Sequence, residues 1–368
     1  MSPVRVWCIA LALVGWFAMS AGAQDSEDTP SHHWTDGMDL TVEGMGWPDE
    51  TTGWSRLPDH ARDAVREPVW NLSRHSAGIA IRFVTDSPDV RVKWVLTSDS
   101  LDMPHMPSTG VSGLDLYQRT DSGWRWVNAL RAGARSNTSD IVSKLSPVSR
   151  EFMLFLPLYN GVESIRIGVL PGHELEAAPP RPEERGLPVV YYGTSIAQGA
   201  CASRTGSCHV AILGRELDRP MINLGFSGNG RLELELADLL AEIEAELYVI
   251  DCLPNLDGRR TAERAVPFVR RLRSLRPDTP ILLVEDRTYG DAWINADRAE
   301  RTRASRAALR AAFDTLQAEG IEGITYLEGD RLLGDETEAT VDGSHPNDLG
   351  FRRQARVMEP VIRELISR

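Results

Sequence analysis

The chain has 368 residues and a formal net charge of −13 at pH 7, from 40 basic and 53 acidic side chains. This acidic excess argues against binding to nucleic acid or to an anionic membrane surface, because phosphates require clustered lysine and arginine. The eight histidines form no HExxH motif or similar cluster. The sequence therefore predicts no metal site and no cofactor.

Residues 1–23, MSPVRVWCIALALVGWFAMSAGA, have the pattern of a secretory signal peptide. One arginine precedes an apolar stretch, and small residues follow it, so we expect cleavage after Ala23. A retained membrane anchor is the alternative, but the apolar stretch is short for a span of about 20 residues. The pattern predicts an exported protein, periplasmic or secreted, that is not held in the membrane after cleavage.

Residues 30–172 are predicted to form an all-β sandwich of jelly-roll-like type. The segments AGIAIRFVTD, DVRVKWVLTS and ESIRIGVL alternate apolar and polar residues between turn residues, as half-buried antiparallel strands do. Seven of the ten tryptophans lie between Trp34 and Trp126. Such a set can form a sugar-stacking platform, but packing in the core of the sandwich is the favoured interpretation.

Residues 173–187 are rich in proline and charge and lack periodicity, so they are predicted to form a linker. In residues 188–368, short apolar segments alternate with helical patterns. The apolar segments are PVVYY, PMINLGF, ELYVIDCL, PILLVED and ITYLEG. This alternation predicts an α/β domain with a doubly wound, mostly parallel sheet that is covered on both faces. Such sheets bind ligands at the carboxyl ends of their strands.

Residues that suit ester hydrolysis follow the first three apolar segments and precede the last helix. Ser195 follows the first segment, Gly228 the second and Asn255 the third. Asp342 and His345 lie on one tight turn, so the carboxylate can orient a histidine that takes a proton from a serine. The Gly228 amide and the Asn255 side chain offer N–H donors for an oxyanion. Each of these four short sequence blocks, around Ser195, Gly228, Asn255 and His345, also suits an ordinary turn or helix cap. The prediction therefore depends on all four blocks together.

Together the four blocks resemble those of the SGNH (GDSL-type) esterase family, whose Ser, Gly, Asn and His are matched by Ser195, Gly228, Asn255 and His345. The resemblance implies a flavodoxin-like sheet with Ser195 as the nucleophile, His345 as the general base and Asp342 as its orienting acid. It also implies an oxyanion hole formed by the Ser195 and Gly228 amides and the Asn255 side chain. The chain departs from the family in reading GTS for GDS and LPN where many members have GND.

The resemblance extends to the first half of the chain. MPHMPSTGVSGLDLY, residues 103–117, contains the GxDLY signature of a β-sandwich that precedes the hydrolase domain in one bacterial subgroup. A phosphate-binding loop is an alternative for GFSGNG. That loop lacks the G-x-G-x-x-G spacing and follows the second apolar segment instead of the first, so we do not predict a nucleotide site.

Three cysteines remain after signal cleavage, namely Cys201, Cys208 and Cys252. An odd count in an oxidising compartment predicts one disulfide and one free thiol. In the implied strand order 2-1-3-4-5 the first and third strands are neighbours. We therefore expect a Cys201–Cys252 bridge between the loop beside Ser195 and the loop of Asn255, with Cys201–Cys208 as the alternative.

The leading hypothesis is an exported serine esterase that hydrolyses short-chain acyl esters, acetyl first, on carbohydrate through an acyl-serine intermediate. Its partner would be a small-molecule or glycan ester substrate. Two alternatives stay open: an acyltransferase, in which a sugar hydroxyl replaces water, and a non-catalytic carbohydrate-binding module on a degenerate hydrolase fold.

Overall fold

The structure is a computed structural model that describes residues 31–367. The predicted signal peptide, residues 1–23, lies outside the described residues. Within residues 31–367, no helix combines the length and the apolar character that crossing a bilayer requires.

The first half of the described chain forms two packed antiparallel sheets, which confirms the predicted β-sandwich. Its strands are β1 His33–Asp36, β2 Thr41–Glu43, β3 Ala80–Thr85, β4 Val90–Leu96, β5 Leu114–Thr120, β6 Gly123–Leu130, β7 Ser136–Val142, β8 Arg150–Phe155, β9 Val162–Val169 and β10 Leu175–Ala177, and its helices are α1 Glu67–Ser73 and α2 Ser108–Val111. One sheet has the order β1-β9-β4-β7, and the other has the order β10-β3-β8-β5-β6 with β2 added beside β3. Alternate side chains of β4 are fully buried between the sheets, as the sequence pattern predicts.

The second half is a parallel α/β layer whose strand order explains where its loops meet. Its strands are β11 Val189–Gly193, β12 Met221–Gly225, β13 Leu247–Asp251, β14 Ile281–Val284 and β15 Ile324–Leu327, and its helices are α3 Ser195–Gln198, α4 His209–Leu217, α5 Leu234–Glu242, α6 Gly258–Leu275, α7 Ala296–Ala318 and α8 Asp348–Leu365. The sheet order is β12-β11-β13-β14-β15, which is the 2-1-3-4-5 order that the resemblance implied. Every residue of β11, β12 and β13 is buried, as expected for strands covered on both faces.

The two halves share their hydrophobic cores. From the first half, Trp47, Leu57 and Val69 pack in the same cluster as Phe226 and Phe268 on one face of the parallel sheet. On the other face, the sandwich strand β8 packs near α4 and α8 within a second cluster. Residues from His32 onward accordingly form one compact unit. The segment predicted as a linker, 173–187, includes the short strand β10, which pairs with β3.

The structure corrects the predicted Cys201–Cys252 disulfide, because Cys201, Cys208 and Cys252 are all free and buried. Cys252 is turned into the core on one face of the sheet, with its Sγ 3.9 Å from the Tyr192 carbonyl. Cys208 belongs to the core on the opposite face. Burial, and then the nearby negative charge of Asp342, raise the pKa of Cys201. Neighbouring strands fix the backbone positions of two residues, but not the face toward which each side chain points.

A buried histidine under α8 predicts an acid-sensitive stability. His209 is fully buried, stacks on Phe351 with ring centroids 5.6 Å apart, and bonds the Tyr191 hydroxyl at 3.0 Å. Burial, and then the charge of Arg287, lower the pKa of His209 to about 3. The unfolded chain binds a proton near the ordinary histidine pKa of about 6.5, so stability is lost as the pH falls from that value toward about 3.

We expect this histidine to remove about 2 kcal/mol of unfolding free energy between pH 7 and pH 5. Urea unfolding of the wild type and of His209→Gln at both pH values measures the effect. Other titrating groups contribute equally to both proteins, so their effect cancels in the difference. One such group is Asp286, because burial raises its pKa to about 6. An equal loss in both proteins would contradict the prediction.

Candidate active site

The carboxyl end of the parallel sheet brings all four predicted blocks to one place. Ser195 is the first residue of α3, directly after β11, and its side chain is almost completely buried. Gly228 lies in the loop after β12, and Asn255 ends a 3-10 helix after β13. The turn with Asp342 and His345 precedes α8, which Asn347 caps by accepting a hydrogen bond from the Gly350 amide at 3.1 Å.

Ser195, His345 and Asp342 form one continuous chain of hydrogen bonds. Ser195 Oγ lies 2.8 Å from His345 Nε2, and His345 Nδ1 lies 2.7 Å from Asp342 Oδ2. An ionised carboxylate can only accept, so Nδ1 carries a hydrogen and donates a hydrogen bond to Asp342. Nε2 is then the acceptor for the serine hydroxyl, which is the tautomer that proton removal from Ser195 needs.

Asp342 is held in place and kept ionised by its own turn. Burial favours the neutral form of its carboxyl, but hydrogen bonds from the His345 amide and ring and from the Ser344 amide outweigh this and lower the pKa to about 2. The two amide bonds measure 2.7 and 2.9 Å and reach the same oxygen, Oδ1. Oδ2 is thereby left free for the imidazole, and the negative charge persists at neutral pH.

The loop after β12 lies directly against the start of α3. A Cβ added at Gly230 would lie 1.9 Å from the Gly193 carbonyl oxygen, so only glycine permits this approach. Gly228 has a φ of +68°, and the space where its Cβ would lie is open. Asn255 donates from Nδ2 to the carbonyls of Gly230 at 3.3 Å and Phe226 at 3.5 Å. The structure thus places the Asn255 amide against the loop that carries Gly228.

A buried arginine from the first half, which the sequence did not single out, holds the end of β12. Arg56 is 1% exposed and donates from Nη1 to the carbonyls of Asn223 at 3.1 Å and Gly225 at 2.6 Å. Its other donors bond the carbonyls of His75 at 2.9 Å and Leu72 at 2.6 Å. Burial lowers the pKa of Arg56 to about 9. The arginine therefore ties the segment before β3 to the strand that leads into the Gly228 loop.

Two further side chains of the sandwich half lie beside the triad, that is, Ser195, His345 and Asp342. Tyr159 donates its hydroxyl to the Ser195 carbonyl at 3.3 Å. The ring of His105 lies 6.4 Å from the ring of His345, measured between centroids, and His105 is exposed. His105 lies within MPHMP, just before the GxDLY signature, and no sequence signal singles it out. The sandwich thus forms part of the wall around Ser195.

Comparison with known proteins agrees with this architecture. The sequence model of the GDSL-like lipase/acylhydrolase family matches residues 187–363, and that of GxDLY, the N-terminus of SGNH-hydrolase-type esterases, matches residues 32–175. No curated protein shows significant sequence similarity to the chain.

Among solved structures, one described as a GDSL-like lipase from Bacteroides ovatus ATCC 8483 is 31% identical, with a TM-score of 0.86 over 92% of this chain and 98% of that chain. The salicylyl-acyltransferase SsfX3 of a tetracycline biosynthetic pathway is 20% identical, with a TM-score of 0.72 over 90% and 97%. A family two carbohydrate esterase from Cellvibrio japonicus is 14% identical, with a TM-score of 0.59 over 92% and 99%, and shares the fold. With family matches in both halves and a relative that covers nearly its whole described length, the chain belongs to the SGNH/GDSL family of carboxylic-ester hydrolases and carries a GxDLY region at its N-terminal side.

Proposed function

We propose that the protein is an exported serine esterase that removes short acyl groups, acetyl first, from carbohydrate esters. The observation that carries the catalytic part is the hydrogen-bonded chain from Ser195 Oγ through His345 to Asp342, with distances of 2.8 and 2.7 Å. Export is supported by the signal-peptide pattern of residues 1–23.

In the first half-reaction, Ser195 Oγ attacks the carbonyl carbon of the ester while its proton passes to His345 Nε2. The adjacent Asp342 carboxylate stabilises the imidazolium that forms. The negative charge that develops on the carbonyl oxygen is stabilised by N–H donors, for which we assign the amides of Ser195 and Gly228 and the side chain of Asn255. Asn255 Nδ2 would exchange its long bond to the Phe226 carbonyl, 3.5 Å, for one to the oxyanion. Collapse of the tetrahedral intermediate transfers the proton from Nε2 to the departing sugar oxygen and leaves an acyl-serine.

In the second half-reaction, a water molecule gives its proton to His345 Nε2 and attacks the acyl-serine carbonyl. The second tetrahedral intermediate releases the carboxylic acid and returns the proton to Ser195 Oγ. A sugar hydroxyl in place of water gives acyl transfer by the same steps. Measuring free acetate and acetylated acceptor in one reaction, with an unesterified oligosaccharide added, distinguishes hydrolysis from transfer.

Crowding around the serine supports a short acyl group. Ser195 is 6% exposed, Tyr159 bonds its carbonyl, and His105 lies beside His345. We expect kcat/KM for p-nitrophenyl acetate to exceed that for the octanoate by about tenfold or more, because an enclosed site discriminates by acyl length. A series from acetate to octanoate measures this. A preference for octanoate would overturn the short-acyl proposal and leave the esterase assignment intact.

The assigned oxyanion donor on Asn255 gives a second test. Asn255→Ala is expected to lower kcat roughly 10²-fold, with a much smaller change in KM, because the lost N–H acts mainly in the transition state. Asn71→Ala is a matched control, since Asn71 is exposed on α1. A kcat within about twofold of wild type for Asn255→Ala would remove Asn255 from the oxyanion hole.

A further inference from the structure

A cleft lies between the sandwich and the α/β layer, away from Ser195. It encloses about 540 Å³ and is bounded by the β5–β6 hairpin on one side and by α4 and α8 on the other. None of Ser195, His345 and Asp342 lines it. The cleft is therefore separate from the triad.

Two tryptophans of β6 line this cleft, and each has a guanidinium group over its ring. Arg119 lies 5.3 Å from the Trp124 ring centroid, and Arg204 lies 5.2 Å from that of Trp126. Trp126 is 53% exposed, whereas Trp94 of the sandwich core is fully buried. Trp126 Nε1 donates to Asp115 at 2.9 Å, which fixes the indole in its exposed position. A fixed, half-exposed indole offers the apolar surface against which the C–H face of a sugar ring packs.

The charge of the cleft is opposite to that of the whole chain. Five arginines and only two carboxylates line it, in a protein of net charge −13. Asp218 is shared by three arginines: Arg119 at 2.5 and 2.7 Å, Arg181 at 2.8 Å and Arg185 at 2.5 Å. Arg181 is also paired with Glu43 at 2.8 Å, so two carboxylates offset these three positive charges. This wall of the cleft keeps a smaller excess of positive charge, which favours an anion.

Arg215 adds a further positive charge. Its guanidinium lies 3.9 Å from the Tyr117 ring centroid and donates to the Gly206 carbonyl at 2.8 Å. Among residues 31–367, no carboxylate lies within ion-pair distance of Arg215. The remaining two arginines of the lining are each paired with one carboxylate, Arg204 with Asp115 and Arg352 with Glu216. The largest unpaired positive charge of the lining is therefore that of Arg215, with a smaller excess around Asp218.

We propose that this cleft binds an anionic carbohydrate, with a sugar ring on Trp126 and a carboxylate of the same ligand paired with the arginines around Asp218. Planar guanidinium groups bind carboxylates in two-point geometry, and the half-buried Arg185 has donors available for this. Helix α8 connects the cleft to the catalytic turn. The helix begins at Asp348, three residues after His345, and Asp348 accepts a hydrogen bond from the Ser203 amide at 2.9 Å. Arg352, which lines the cleft, follows about one helical turn later. The binding does not depend on ester hydrolysis.

Calorimetric titration with trigalacturonate tests this inference, and the matching neutral galactose trimer is the control ligand, since the two differ by one carboxylate per sugar. We expect the acidic trimer to bind at least about tenfold more tightly than the neutral trimer, with an affinity that falls as salt is added. Trp126→Ala and Arg185→Ala should each weaken binding about tenfold or more. Trp293→Ala is the matched control, because Trp293 is 75% exposed and lines a different cavity.

Equal binding of the two trimers, no detectable binding of the acidic trimer, or unchanged affinity in both cleft variants would each overturn the inference. Arg185→Ala leaves Asp218 paired with Arg119 and Arg181, so this variant keeps the test valid if Trp126→Ala does not fold. Turnover of p-nitrophenyl acetate by the same preparations reports separately on the esterase. Failure of the carbohydrate cleft is therefore distinguishable from failure of the proposed catalytic function.

Discussion

Replacing Ser195 with alanine is expected to lower kcat for p-nitrophenyl acetate about 10⁴-fold or more, because no other atom takes the place of the attacking oxygen. In the structure Ser195 Oγ lies 2.8 Å from His345 Nε2, which removes its proton in the proposed mechanism. The substitution removes one buried oxygen and no packed apolar group, so the fold should persist. Initial rates with wild type and variant, together with circular dichroism of both, measure the effect.

Ser344→Ala is the matched control for Ser195→Ala. Ser344 adjoins His345 in the same turn, but it contributes its backbone amide to Asp342, and that amide survives the substitution. We expect its turnover to stay within about threefold of wild type. Substantial activity in folded Ser195→Ala would contradict the serine mechanism. Equal inactivity of wild type and variant, with glycan binding retained, would favour the binding module.

Replacing Arg287 with methionine is expected to reduce the free energy of unfolding by about 3–5 kcal/mol. Arg287 and Asp251 form a two-point ion pair at the end of β13, with both N–O distances 2.5 Å and both side chains fully buried. Removing the arginine leaves Asp251 as a buried charge, and within residues 31–367 the Tyr191 hydroxyl, at 2.6 Å, is its one remaining side-chain donor. Urea unfolding at pH 7 measures the loss.

Two further variants separate the ion pair from a general effect of removing arginine. Arg259→Met breaks only an exposed pair with Glu263 on α6 and should leave the unfolding free energy nearly unchanged. The double variant Asp251→Asn with Arg287→Met should be more stable than Arg287→Met alone, because residue 251 no longer carries a buried charge without its partner. A double variant no more stable than the single one would show that packing of the arginine, and not the charge pair, supplies the stability.

The layout of the α/β layer was predictable because its signals are local. Each strand of the sheet is a short apolar segment, and β11 to β13 are buried along their whole length as the continuous pattern predicts. Ser195 and Asn255 stood out as candidates because each lies within four residues after such a strand. Asp342 and His345 could be paired because a turn of four residues brings them together without distant structure.

The contributions of Arg56, His105 and Tyr159 could not be predicted in the same way. Each lies in an irregular segment without helical or strand periodicity, and each acts on a residue distant in sequence, such as Gly225, His345 or Ser195. Sequence periodicity reports only local geometry, so it does not predict contacts between residues that are distant in sequence.

The cysteines and tryptophans show the same limit for side-chain direction. Strand adjacency suggested a Cys201–Cys252 bridge, but Cys252 packs in the core on one face of the sheet and both thiols are free. The tryptophans of the sandwich share one residue type and one region, yet Trp94 is fully buried and Trp126 is 53% exposed. Core packing, the favoured interpretation, therefore holds for Trp94 and fails for Trp126, whose hairpin borders a cleft instead of the sandwich interior.

Because the two halves share hydrophobic cores, the α/β half is not expected to be stable as an isolated fragment. Trp47, Leu57 and Arg56 lie beneath the same strands that carry the catalytic loops, so a fragment starting at residue 188 would expose apolar surface and leave the carbonyls of Asn223 and Gly225 without their donor. The β-sandwich is thus a structural half of the catalytic body and not a detachable appendage. Grafting it onto another hydrolase, or exchanging it between relatives, requires redesign of the buried contacts between the two halves.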